Sequence, residues 1–113
     1  MKILKFKLPV SGCEFDVDSE PMFGDMDDIE HFVLNNTSGH IEDKEWKSEF
    51  KGDVLNNLKY FKAKVLVKGI YNEDGNRVNG DTIDLVRAMN PKDGEFLLNK
   101  VEEVITEYKK KLS

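Results

Sequence analysis

Phe96, Leu97, Val101, Val104, Ile105, Tyr108 and Leu112 draw one continuous apolar stripe down a helix that closes on Lys109-Lys110-Lys111. Asn90-Pro91 supplies its start, because Asn caps helices and Pro fits the first helical position. The three lysines lie at the C-terminal end, where the helix dipole favours cations. A stripe of this kind stays folded only against another apolar face.

Residues 2–18 provide such a face. Leu4, Phe6 and Leu8 share one side of an extended segment, with Lys5 and Lys7 on the other. Cys13, Phe15 and Val17 repeat the period of two against Glu14, Asp16 and Asp18, and Pro9-Val10-Ser11-Gly12 between the runs carries turn chemistry. An antiparallel register sets Lys5 and Lys7 near the acids of the second strand. A lone hairpin is marginal in water, so other elements must cover its apolar face.

Between these ends the pattern is mainly helical. Pro21 and Gly24 break the chain, and Asp25 is placed to cap a helix whose face carries Met26, Ile29, Phe32 and Val33; Asn35 to Gly39 ends it. From Trp46 the spacing Trp46, Phe50, Val54, Leu58, Phe61, Val65 is close to helical throughout, with Gly52 as an interruption and Asp53 as a fresh start. The end of that run suits either helix or strand, since Val65-Leu66-Val67 leads into Gly69-Ile70-Tyr71. Asn72-Glu73-Asp74-Gly75-Asn76 is a tight turn that joins Ile70-Tyr71 to Arg77-Val78 as a small hairpin. Asp81 and Asp84 resemble a capping box that opens a short helix to Met89. The expected fold is therefore α+β and a single domain over 1–113: an N-terminal β-hairpin packed on a bundle of three to four helices, with a short second hairpin near residues 70–78.

Composition narrows function. Eleven aromatic residues among 113 argue against disorder. The charged N-terminal run Met1 to Pro9 is unlike a signal peptide, and no apolar stretch nears the roughly 20 residues that span a bilayer. A single cysteine, Cys13, agrees with a reducing compartment, so the expected location is cytoplasmic. Only Arg77 and Arg87 supply guanidinium groups, and residues 13–45 hold eleven acids and one base. Nucleic acid and anionic membranes are thus poor partners.

Chemistry-bearing signatures are scarce. Cys13 lies in the inward phase of its strand, and neither His31 nor His40 sits in a nucleophile signature with it. The two histidines lack metal-ligand spacing. A calcium loop around Gly75 would put its first ligand on Ile70, which has no side-chain oxygen. The eight glycines make no phosphate-binding loop. The expectation is a protein without catalytic residues, metal or cofactor. Trp46, Phe50, Tyr60 and Phe61 give the central region abundant aromatic surface, which either fills the core or lines a groove for a partner helix.

Three stretches together carry a family likeness. Leu8-Pro9-Val10-Ser11-Gly12 before an alternating strand resembles the LPSG opening of small tail assembly chaperones of tailed bacteriophages, with Val10 inserted in this chain. Val65-Leu66-Val67-Lys68-Gly69-Ile70 leading into Asp74-Gly75 is similar to their helix end and Asp-Gly turn, and Asp81 to Met89 followed by Asp93-Gly94-Glu95-Phe96-Leu97-Leu98 to their last two helices. The likeness covers residues 4–18 and 60–105. It implies a non-catalytic chaperone that keeps a tape measure or baseplate hub protein soluble in the bacterial cytoplasm, with self-association left open. Three rivals remain at this point: a small baseplate or tail protein retained in the virion, an acidic inhibitor that occupies a host nucleic-acid-binding protein, and an enzyme using Cys13.

Overall fold

Two antiparallel strands, β1 (Ile3–Lys7) and β2 (Glu14–Asp18), open the chain in the expected register, with Ile3 opposite Asp18 and Lys7 opposite Glu14. The computed structural model describes residues 1–35, 37–42, 45–50 and 54–112, with side-chain surroundings described over 1–35 and 55–112. The closing pair of the hairpin is Leu8 with Cys13, whose carbonyl accepts the Leu8 N–H at 2.7 Å. Gly12 completes the loop at φ +79°, a left-handed conformation that side chains disfavour.

Helix α1 (Phe23–Asn35) starts two residues before Asp25. The Asp25 carboxylate instead reaches back to accept the Met22 N–H at 3.2 Å. It therefore serves as the returning arm of a capping arrangement, not as the cap itself.

The expected helix from Trp46 is corrected. Strands β3 (Thr37–Glu42) and β4 (Glu45–Phe50) pair antiparallel as a separate two-stranded sheet, Ile41 opposite Trp46 and Thr37 opposite Phe50. The misreading has a physical source: a spacing of four, Trp46 to Phe50, fits a helical turn and a strand's period of two equally. The alternation of Glu45, Lys47 and Glu49 in the sequence was the strand signal.

Helix α2 (Val54–Leu66) then runs without a loop into β5 (Val67–Tyr71), which settles the ambiguous segment as helix followed by strand. β5 pairs antiparallel with β2, so the hairpin is part of a three-stranded sheet in the order β1-β2-β5. The second hairpin near residues 70–78 is present in reduced form. Its return arm is the single bridge of Tyr71 to Arg77, with the Val78 N–H donating to the Ile70 carbonyl at 2.8 Å.

The last two helices follow their sequence signals. Asp81 caps α3 (Thr82–Arg87) by accepting the Ile83 N–H at 2.9 Å, and Asn90 accepts the Lys92 N–H at 2.9 Å at the start of α4 (Pro91–Leu112). The core lies between one face of the sheet and the helices. Phe15, Val17, Ile70 and Val67 from the sheet meet Leu66 of α2, Val86 of α3 and Leu97, Val101 and Ile105 of α4. Phe15 is wholly buried, tilted against Phe6 at 5.5 Å between ring centroids and edge-on to Phe96 at 6.4 Å. Lys62 of α2 grips Glu102 of α4 at 2.9 Å along the helix pair.

One buried charge ties sheet to helix. Asp93, in the first turn of α4 and only 1% exposed, accepts the backbone N–H groups of Val10 at 2.8 Å and Ser11 at 3.1 Å. Burial alone pushes its pKa up. The Val10 N–H and the hydroxyl and N–H of Ser11 outweigh that and hold it below the usual carboxylate value. The hairpin loop is thereby pinned to the N-terminus of the longest helix, where negative charge is also favoured by the dipole.

Candidate protein-interaction surface

Of the four aromatics of the central region, the two whose side chains are described, Tyr60 and Phe61, point to different neighbours. Phe61 turns toward α1 and stacks on Phe32, with ring centroids 4.7 Å apart and planes within 14°. Tyr60, one position earlier and so about 100° away around the helix, lines a cavity of about 350 Å³ with Lys59, Arg87, Met89, Glu95 and Leu98. Both rings are half-buried and pack against the core. Trp46 and Phe50 belong to β4, and their side chains lie outside the described residues.

Cys13 is half-buried and faces a mainly apolar cavity of about 320 Å³ lined by Leu8, Val10, Ile70, Val78, Leu85 and Met89. Among the described residues no histidine lines it. His31 sits on the exposed side of α1, its Nδ1 3.0 Å from the Asp27 carbonyl and 3.3 Å from the Asp27 carboxylate. The side chain of His40 lies outside the described residues. Among the described residues no cluster of His, Cys, Asp and Glu is arranged to hold a metal ion, and no helix is long and apolar enough to cross a membrane.

A different surface emerges at the sheet's edges. Along β5 the outward carbonyls are occupied: the Arg77 guanidinium donates to the Lys68 carbonyl at 3.0 Å, and the Val78 N–H donates to the Ile70 carbonyl at 2.8 Å. β1 is the other edge, and there the account differs. Leu8 and Lys2 form hydrogen-bonded pairs with Cys13 and Ser19. In an antiparallel ladder such pairs alternate, so Leu4 and Phe6 also bond to β2, while Ile3, Lys5 and Lys7 direct their N–H and C=O groups away from the sheet. Among the described residues no strand pairs with this side of β1.

Beneath that edge lies a groove of about 280 Å³ between β1 and the C-terminal half of α4. Leu4, Phe6, Val104 and Tyr108 form its apolar walls, and Lys2, Glu103, Glu107 and Lys111 its charged margin. Leu4 is consequently 37% exposed despite its inward phase, and Leu112 beyond the sheet is 69% exposed. On the opposite, solvent face of β1, Lys5 stands 3.7 Å from Asp16 and 4.0 Å from Glu14, with its ammonium 4.7 Å above the Tyr71 ring. That ring lies directly over Gly69, where an added Cβ would meet the Tyr71 hydroxyl at 2.6 Å. Lys7 has no carboxylate partner among the described residues.

The groove was not foreseen from sequence, although its signal was present. Alternating lysines on a short terminal strand are a common guard of an open sheet edge. Compared with family models, curated proteins and solved structures, the chain matches none of them.

Proposed function

We propose that this chain is a non-catalytic tail assembly chaperone of a tailed bacteriophage, acting in the host cytoplasm. It holds an aggregation-prone component, a tape measure or baseplate hub protein, until the growing tail replaces its contacts. The observation that carries this reading is the β1 edge, which no described strand pairs, beside a groove with apolar walls, a combination suited to another protein chain. The likeness of residues 4–18 and 60–105 to such chaperones supplies the biological setting.

Co-expression followed by purification, together with mass spectrometry of mature particles, tests the proposal. The tape measure or hub protein is expected to co-purify with this chain, and Cys13→Ala is expected to leave that capture unchanged. The chain itself is expected to be absent from purified virions. Its presence there in fixed copy number would identify a structural tail protein instead.

A further inference from the structure

We infer that β1 accepts an extended segment of the partner as a fourth strand of the sheet, and that this segment alternates acidic with apolar side chains. The inference rests on the protein-binding reading above and specifies the chemistry of the partner at that surface.

The backbone supplies the site. Ile3, Lys5 and Lys7 present N–H and C=O groups in strand geometry, while the carbonyls of Lys68 and Ile70 on the opposite edge already accept from Arg77 and Val78. An added strand would place alternate side chains on the two faces of the sheet. Those on the core side enter the groove over Leu4, Phe6, Val104 and Tyr108, which favours apolar residues. Those on the solvent side stand opposite Lys5 and Lys7, which favours acids.

The sequence of this protein contains a working example. On its paired side β1 already binds Glu14-Phe15-Asp16-Val17-Asp18, a strand of that same alternation, with Lys5 facing Glu14 and Asp16. A second copy of the chain is a poor occupant by the same rule. Two β1 strands edge to edge would set the lysines of one against the lysines of the other, and like charges directly opposite destabilise a sheet. The lysines therefore exclude self-pairing while leaving the edge open to an acidic strand.

The probe is a short labelled peptide alternating Glu or Asp with Val or Phe, matched with a copy in which lysine replaces each acid. Fluorescence anisotropy is expected to show the acidic peptide binding at least about tenfold more tightly than the lysine copy. Lys5→Pro removes an outward N–H, a change edge strands tolerate, together with the ammonium that faces Asp16 and Glu14. It is expected to weaken binding by about tenfold, the effect of losing one main-chain bond and stranding its partner. Lys5→Gln, which keeps the N–H, should retain more of the affinity.

In the unsubstituted protein, hydrogen exchange at Ile3, Lys5 and Lys7 amides should slow when the acidic peptide is added, a readout that does not depend on any variant folding. Equal binding of both peptides, or unchanged exchange at those amides, would overturn the inference. Capture of the tape measure protein by wild type and Lys5→Pro alike would also overturn it, while leaving the chaperone reading intact. Peptide binding at β1 with no capture of any tail protein would uphold the edge and remove the tail assignment.

Discussion

Phe15→Ala is expected to lower the free energy of unfolding by about 3–5 kcal/mol, the range for removing a large aromatic side chain from a packed core. Phe15 is wholly buried, and its ring is where β2 meets both Phe6 of the edge strand and Phe96 of α4. Its loss leaves a cavity under the sheet, between the Phe6 and Phe96 rings. Domains of this size are commonly stable by only about 5–15 kcal/mol, so the variant would stand near the threshold of folding. Urea denaturation of the two proteins under identical conditions measures the difference. A loss below about 1 kcal/mol would mean that the sheet does not pack on α4 through this residue.

Asp93→Asn is expected to be strongly destabilising at neutral pH, and the deficit is expected to shrink in acid. The buried carboxylate offers one oxygen to the Val10 N–H and the other to the Ser11 N–H. An amide supplies one acceptor and turns an NH2 donor toward the remaining N–H, leaving buried donors opposed. The pH dependence follows from the sign of the shift. Because the folded-state pKa is below the ordinary carboxylate value, the carboxylate's stabilisation is complete above that ordinary value and is lost as pH falls through the folded one. Asn does not titrate, so the wild-type and variant melting temperatures should converge as pH drops below the usual carboxylate range. Thermal melts across a pH series test this, and parallel curves that never approach one another would contradict it. Faster hydrogen exchange at Val10 and Ser11 in the variant would place the damage at the hairpin loop.

How much of this architecture is legible in the sequence depends on whether the information is local. The caps Asp81 and Asn90, the stripe of α4 and the alternation of β1 and β2 are local, and each element forms where its pattern lies. β3 and β4 were obscured because Trp46 and Phe50 satisfy two periods at once. The start of α1 moved because an acid in the first turn can serve a helix from inside it as well as from its cap. β5 was ambiguous because a short apolar run carries no period of its own.

Long-range features were harder to read. Nothing near Asp93 in the chain marks it as the anchor of a loop 82 and 83 residues away. Which strand becomes the sheet's open edge depends on where β5 pairs, so the groove under Leu4 and Phe6 required the assembled fold. The aromatics Tyr60 and Phe61 looked like one surface in sequence. Adjacent positions on a helix point apart, and the structure sends them to different neighbours.

The central proposal is that this protein acts by covering exposed surface on another chain, without making or breaking a covalent bond. Its most direct test is the soluble fraction of the proposed partner, a tape measure protein, expressed alone and alongside this chain, with no added cofactor or nucleotide. The account predicts that the tape measure protein sediments when expressed alone and stays in the supernatant with the wild-type chain, in proportion to the amount of that chain. An unchanged soluble fraction at every ratio of the two proteins would contradict it.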